Sequence, residues 1–180
     1  MDSMVIDTKL RDKNLHLKNK AEKIKVILTD VDGVLTDTGI YYGQNGEAIK
    51  RFSVRDGMGV ERLRKYGGIE TIIITGENTG SVKSRAEKLK ITEYYLGVLK
   101  KEDVLEIIKK KNGFENENIA YIGDDSNDVE IMKLCGLTAT PADGMIFIKD
   151  IADYVCETNA GYGAFREFAE LIFSLKIKGI

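Results

Sequence analysis

Short apolar runs alternate with amphipathic stretches along most of the chain. Three runs are apolar and rich in β-branched residues: "KIKVILT" at 23–29, "IETIIIT" at 69–75 and "NIAYIG" at 118–123. Each suits a buried strand. Shorter runs at "EYYLG", "LTAT" and "DYVC" predict further strands. Between them, "DGMGVERLRKYG" carries Met58, Val60, Leu63 and Tyr66 at near-helical spacing and closes on Gly67-Gly68. "TGSVKSRAEKLK" reads as a helix. "KEDVLEIIKKKNG" is amphipathic, with Val104, Leu105, Ile107 and Ile108 apolar and Gly113 past its end. "SNDVEIMKLCG" offers Ser126 or Asn127 as N-cap, and "GAFREFAELIFSLK" predicts the final helix. Strands and helices at this spacing predict a Rossmann-like α/β domain, a mostly parallel sheet with helices on both faces. One insertion breaks the alternation. In "TGIYYGQNGEAIKRFSV", β-favouring residues flank Asn45-Gly46 and predict a hairpin.

The first 20 residues are charged, with Leu10, Leu15 and Leu17 as sparse apolar points, and predict a tail leading into a short amphipathic helix. The expected organisation is that tail followed by a single domain over 21–180. His16, the only histidine, lies in the tail, which argues against a histidine triad or a multi-histidine metal site. The chain of 180 residues is 43% apolar and 31% charged, as expected of one soluble domain. A net charge of −2 predicts neither nucleic acid nor an anionic membrane as partner. No apolar run approaches the roughly 20 residues of a membrane span, and the polar start lacks a signal peptide's apolar core. Cys135 and Cys156 lack metal-ligand spacing and read as reduced thiols, which suits a cytoplasmic protein.

In open α/β sheets, ligands bind outside the carboxyl ends of the strands. Four polar clusters fall there: Asp30 and Asp32 in "LTDVDGVLTD", Thr75, Lys101, and "GDDSND" at 123–128. Acids held close need a cation to offset their repulsion, and an oxygen-only set suits Mg²⁺. Phosphoryl transfer uses such a set. A carboxylate attacks phosphorus, cations neutralise the phosphoryl oxygens, and a second acid manages the proton. Asp37 has no such claim and reads as the start of the hairpin.

"DVDGV", a following "ITG", a lysine and "GDDxxD" resemble the haloacid dehalogenase superfamily of phosphatases. The resemblance implies Asp30 as nucleophile and Mg²⁺ ligand. It implies Asp32 as general acid/base, with its backbone carbonyl on the metal. Thr75 and Lys101 would hold the phosphoryl group. Asp124 would be a further ligand, and Asp128 would support the metal shell.

"DVDGVLTDTGIYY", "GEAIKRFSVRDGMGV", "YIGDDSND" and "NAGYGAFREF" are similar to the 3-deoxy-D-manno-octulosonate 8-phosphate phosphatases, over about 21–175. That resemblance implies a hairpin flap, here 39–54, in place of a cap domain. It also implies a homotetramer in which neighbouring subunits help close the site. The implied substrate is a small phosphorylated 2-keto-3-deoxy sugar acid. Ser53, Val54, Arg55, Asp56 and Gly57 match the sugar-acid contact segment, and Arg85 matches a further anion-binding position. One departure divides the substrate reading. Octulosonate enzymes typically read "TGR" after the second strand, where this chain has Gly76 and Glu77 in "TGENTG". Glu77, Arg85 and Lys88 are similar to a sister branch that acts on nine-carbon 2-keto-3-deoxynononate or sialic acid 9-phosphates. Arg55 agrees with the octulosonate branch, which is the preferred reading. The rival of another class is a non-catalytic tetramerisation module, and the intact acid set argues against it.

Overall fold

The run at 23–29 contracts to a strand of four residues, β1 (Val26–Thr29), all of them buried. The computed structural model describes residues 6–177. Ahead of β1 lie α1 (Thr8–Lys13), a 3-10 turn (Leu15–Leu17) and α2 (Lys18–Ala21). The hairpin β2 (Ile40–Gly43) and β3 (Gly46–Lys50) follows β1. Next come α3 (Val54–Arg62), which runs on through a π-helical turn to Gly67, and β4 (Glu70–Ile74). Then come α4 (Gly80–Lys88), β5 (Tyr94–Tyr95), α5 (Lys101–Asn112) and β6 (Ile119–Ile122). The chain ends with α6 (Val129–Leu134), β7 (Leu137–Thr140), α7 (Ile146–Lys149), β8 (Tyr154–Val155) and α8 (Ala164–Lys176).

Six strands form one parallel sheet in the order β5-β4-β1-β6-β7-β8, and β2-β3 stands apart as an antiparallel pair. β1 pairs with β4 on one side and β6 on the other, Val26 facing Glu70 and Ile119. Alternate residues of the central strands therefore serve opposite cores. Ile27, Ile73, Ala120 and Ile122 pack with Val60 and Leu63 at the α3 end and with Phe165, Phe168 and Ile172 of α8. Val26, Leu28, Ile72, Ile74 and Tyr121 pack with Leu105 and Ile108 of α5 and Ile131 and Met132 of α6. This is the expected α/β sheet covered on both faces. Among the described residues, no helix is long and apolar enough to cross a membrane.

Several local expectations are corrected. Ser53 caps α3, which therefore starts two residues before "DGMG" and leaves Met58 43% exposed. Glycine, not methionine, makes the contact with α8: a Cβ on Gly59 would stand 2.9 Å from the Arg166 Cα. Ile107 is 53% exposed, because Val104, Leu105 and Ile108 already fill the buried face of α5. The cap before α6 is not Ser126 or Asn127. Asp125 accepts the Ser126 N–H, and Asp128 occupies the N-cap position of α6 itself. The hairpin turn is centred on Gln44 and Asn45, with Gly46 supplying the positive φ of 99° on re-entering the strand. Short α7 was not foreseen. Of the tail expected over 1–20, residues 1–5 lie outside the described residues, while α1 packs on α8 and Leu17 is buried.

Asp56 joins α3 to the last helix. Gly163, at the N-cap of α8, has no side chain to offer, and Asp56 Oδ1 accepts the Arg166 N–H at 3.0 Å in its place. Asp56 Oδ2 has no hydrogen-bond partner among the described residues. Burial pushes the carboxyl up to about 6, against the restraining Arg166 N–H. A carboxyl raised on folding adds stability that is complete below its unfolded pKa and is lost as pH rises through the folded one. Asp56→Asn keeps an acceptor for Arg166 but cannot ionise. Thermal unfolding from pH 4 to 6.5 is expected to fall less steeply for the variant than for the wild type. Parallel curves would contradict this account of Asp56.

Candidate active site

The carboxyl end of β1 sets the site. Asp30 continues the ladder, its N–H donating to the Ile122 carbonyl at 3.1 Å. Its side chain turns back so that Oδ1 accepts the Val31 N–H at 2.7 Å, while Oδ2 meets Lys101 Nζ at 2.8 Å. Lys101 opens α5 and is fully buried. Its ammonium also meets Asp128 Oδ1 at 2.6 Å. Tyr121 O–H donates to the same Asp128 oxygen at 2.5 Å. Asp128 Oδ2 accepts the N–H groups of Asp124 (2.8 Å) and Asp125 (3.3 Å). Asp128 is thus saturated with donors and ties the loop after β6 to Lys101.

One lysine does not neutralise this cluster. Burial raises the Asp30 carboxyl to about 7, although Lys101 pulls it down. Burial, and then repulsion from Asp30 and Asp128, raise Asp124 to about 8. Burial works against the Lys101 ammonium, but Asp30 and Asp128 together outweigh it and raise its pKa. Asp124 accepts no side-chain hydrogen bond among the described residues, so its carboxylate is free to take a further partner. Oxygens of Asp30, Asp124 and Asp128 lie within 4.8 Å of one another. Gly33, at φ 86°, leaves room for this grouping, since a Cβ there would fall 1.9 Å from Asp124 Oδ2. An oxygen-only cluster with excess negative charge fits a hard divalent cation.

Asp32 stands nearer solvent. Its Oδ1 accepts Thr36 O–H at 3.2 Å, and its Oδ2 pairs with Lys50 Nζ at 2.5 Å. Buried Thr75, past the end of β4, accepts the Glu77 N–H on Oγ1 at 3.2 Å. Asp30, Asp32, Thr75, Gly76, Glu77 and Asp124 line one cleft of about 290 Å³. A larger cleft of about 530 Å³, walled by Ile24, Gly68, Thr71 and Phe114, touches none of these acids. Charge convergence, not volume, marks the site.

The remaining expected substrate residues do not line the acidic cleft. Ser53 caps α3, Asp56 holds the start of α8, and Val54 is 79% exposed. Arg85 donates to the Ser53 carbonyl at 2.6 Å and lies 5.5 Å from the Phe52 ring centre. Gly57 makes room for it, since a Cβ there would come 2.8 Å from the Arg85 Nη2. Arg55 is exposed and lines a separate cleft with Tyr162, Gly163 and Arg166, and Lys88 is exposed. Asp37 pairs with Arg51 Nε at 2.7 Å, and Arg51 reaches the Gly161 carbonyl and the Tyr162 ring. The hairpin base is thereby fixed to the "NAGYG" loop. Sequence reasoning missed Lys50 and Tyr121. Tyr121 reads as a core strand residue and Lys50 as an exposed hairpin lysine, so neither carries a local signal.

A profile of haloacid dehalogenase-like hydrolases matches residues 96–167, which include Lys101, Asp124 and Asp128. The chain is 40% identical over 162 residues to the 3-deoxy-D-manno-octulosonate 8-phosphate phosphatase of Haemophilus influenzae, covering 90% of this chain and 89% of that one. Identity with the Escherichia coli K12 enzyme of the same name is 41% over 153 residues, 85% of this chain and 81% of the other. The cobalt-bound structure of the Haemophilus influenzae phosphatase aligns with a TM-score of 0.84 at 41% identity, covering 87% of this chain and 91% of that one. The Moraxella catarrhalis enzyme, solved with magnesium, phosphate and 3-deoxy-D-manno-octulosonate, aligns at 0.86 with 35% identity, covering 90% and 92%.

Removing Lys101 leaves Asp30 and Asp128 buried together. For Lys101→Met without divalent cation, a loss of about 3–5 kcal/mol is expected at pH 8. Asp30 has a raised pKa, so lowering the pH protonates it and the loss shrinks by pH 5. Urea unfolding at the two pH values checks this, and equal losses would contradict it.

Proposed function

We propose a reaction for a chain that belongs to the 3-deoxy-D-manno-octulosonate 8-phosphate phosphatase family of haloacid dehalogenase-like hydrolases. The chain is a phosphoric monoester hydrolase. Its substrate, in our reading, is 3-deoxy-D-manno-octulosonate 8-phosphate, cleaved to the free sugar acid and phosphate. The observation that carries this reading is the buried Asp30–Lys101 pair facing Asp32 and Thr75, within a chain 40% identical to phosphatases of that name.

Asp30 is the nucleophile. Val31 N–H and Lys101 hold its two oxygens and fix its direction of attack, and its burial excludes water. It takes the phosphoryl group as an aspartyl-phosphate. Asp32 gives a proton to the departing sugar oxygen and later takes one from the water that releases phosphate. Thr75 O–H, Gly76 and Lys101 receive the phosphoryl oxygens. Asp30, Asp124 and the Asp32 backbone carbonyl would hold Mg²⁺, with Asp128 bracing the loop. Bound there, a divalent cation neutralises the acids and the phosphoryl charge.

Asp30→Asn is expected to abolish phosphate release while the protein stays folded. Mg²⁺ at about 100 times its Kd should stabilise the wild type by about 2.7 kcal/mol. Asp124→Asn should lose most of that gain. Normal turnover by the Asp30→Asn variant sinks the nucleophile, and undiminished stabilisation of the Asp124→Asn variant sinks the ligand set.

A second reading rests on Glu77, which lines the cleft where an arginine would grip an anion. A carboxylate there accepts bonds from sugar hydroxyls and favours a nine-carbon 9-phosphate. Comparing kcat/KM for the eight- and nine-carbon substrates decides between the two. Glu77→Arg is expected to shift that ratio toward the eight-carbon acid. An unchanged ratio removes Glu77 from specificity.

Homotetramer formation is the remaining element of the proposal. Tyr41, Tyr42 and Ile49 of the hairpin are 61%, 73% and 62% exposed, an apolar surface that a neighbouring subunit would cover. Light scattering should report about four subunits, the state the family resemblance implies. A fully active monomer would end the idea that the hairpin closes against a neighbour.

A further inference from the structure

The hairpin inverts the usual distribution of polarity. Ile49 is 62% exposed, while its neighbour Lys50 has a fully buried side chain. Across β2 and β3, Lys50 is the one buried residue. A lysine leaves water at high cost unless its charge is met. Two carboxylates meet this one: Asp32 Oδ2 at 2.5 Å and Glu47 Oε2 at 3.4 Å. Glu47 is in turn anchored to α4, where Ser81 O–H donates to its Oε1 at 3.0 Å. Asp32 therefore has each oxygen held from a different side. Thr36, four residues on in the same loop, holds Oδ1, and the hairpin holds Oδ2.

We propose that Lys50 is a positioning residue for Asp32, aiming its carboxyl at the leaving oxygen and meeting the charge that develops on it. The inference rests on the reading of Asp32 as general acid/base. In the first half-reaction Asp32 enters protonated, with Glu47 as the counter-ion of Lys50. An Asp30 oxygen bonds to phosphorus, the bond from phosphorus to the sugar oxygen breaks, and the Asp32 proton passes to that oxygen. Asp32 is left as a carboxylate facing an ammonium already in place, so no reorganisation is needed as the charge appears. In the second half-reaction water bonds to phosphorus, its proton returns to Asp32, and the Asp30–phosphorus bond breaks. Lys50 keeps its proton throughout. Because Lys50 rides on the hairpin, the general acid is fully oriented only when the hairpin is seated over the cleft.

The test is the dependence of kcat/KM on leaving-group basicity across a series of substituted phenyl phosphates, with Mg²⁺ present. These substrates carry no sugar, so a role of Lys50 in sugar binding leaves the slope unmoved. Well-placed general acids contribute about 10²–10⁴-fold, and they matter most for poor leaving groups. Lys50→Met is expected to steepen the slope, costing the most basic phenol about 10-fold more than the most acidic. Lys50→Arg should recover a shallower slope. Lys50→Gln, which keeps a donor without the charge, carries the same test should the methionine variant not fold. A uniform loss across the series with an unchanged slope overturns the proposal. Asp32→Ala should give the steepest slope of all. If its slope matches the wild type, the general-acid reading fails, whatever Lys50 does.

Discussion

Everything at the site hangs on one buried ammonium. Lys101 stands between Asp30 and Asp128, fully out of water, at 2.8 and 2.6 Å. A buried lysine is tolerable only with such partners, and two buried acids only with such a cation. The three residues come from the end of β1, the start of α5 and the loop after β6, so satisfying the charge fixes three segments at once. Tyr121 and two backbone N–H groups complete the bonds of Asp128. The sheet supplies the frame, since β1 and β6 are adjacent strands and their loops emerge side by side.

The compensation is incomplete, with three acids set against one lysine. Asp124 and Asp30 both stay raised, chiefly by burial, and no hydrogen bond within the described residues meets the Asp124 carboxylate. That incomplete compensation suits the cluster to a hard divalent cation. Outside it, Asp32 uses a second lysine. The two acids that share "DVDG" are thus separated by environment: one deep against Lys101, the other at the cleft wall against Lys50. The hairpin that carries Lys50 is tied at its base by Asp37 and Arg51 to the loop before α8. Asp56 links that helix back to α3. A chain of polar contacts therefore runs from the C-terminal helix to Asp32 at the cleft wall.

Much of this was legible in the sequence, for reasons that can be named. The three apolar runs suited strands covered on both faces, and their spacing suited crossovers. The acids that line the cleft announced themselves because carboxylates at strand ends contradict hydropathy. What escaped was contact between distant segments. Nothing local to "GEAIK" says that the lysine turns inward and the isoleucine outward. Nothing in "SVRDG" says that Ser53 and Asp56 cap two different helices, or that Gly59 exists to let α8 approach. Nor does the anion-binding reading of Arg85 say that its guanidinium also holds a backbone carbonyl and covers Phe52. Such assignments depend on which helices meet, and periodicity does not encode that.

The central claim is that Asp30, oriented by Lys101, carries the phosphoryl group. The most direct measurement is to quench the enzyme in acid during turnover and reduce it with borohydride. Peptide mass spectrometry then locates the reduced residue, since an acyl phosphate on aspartate is converted to homoserine. The account predicts homoserine at position 30, dependent on substrate and absent from Asp30→Asn. Conversion at another residue, or none during active turnover, would contradict it.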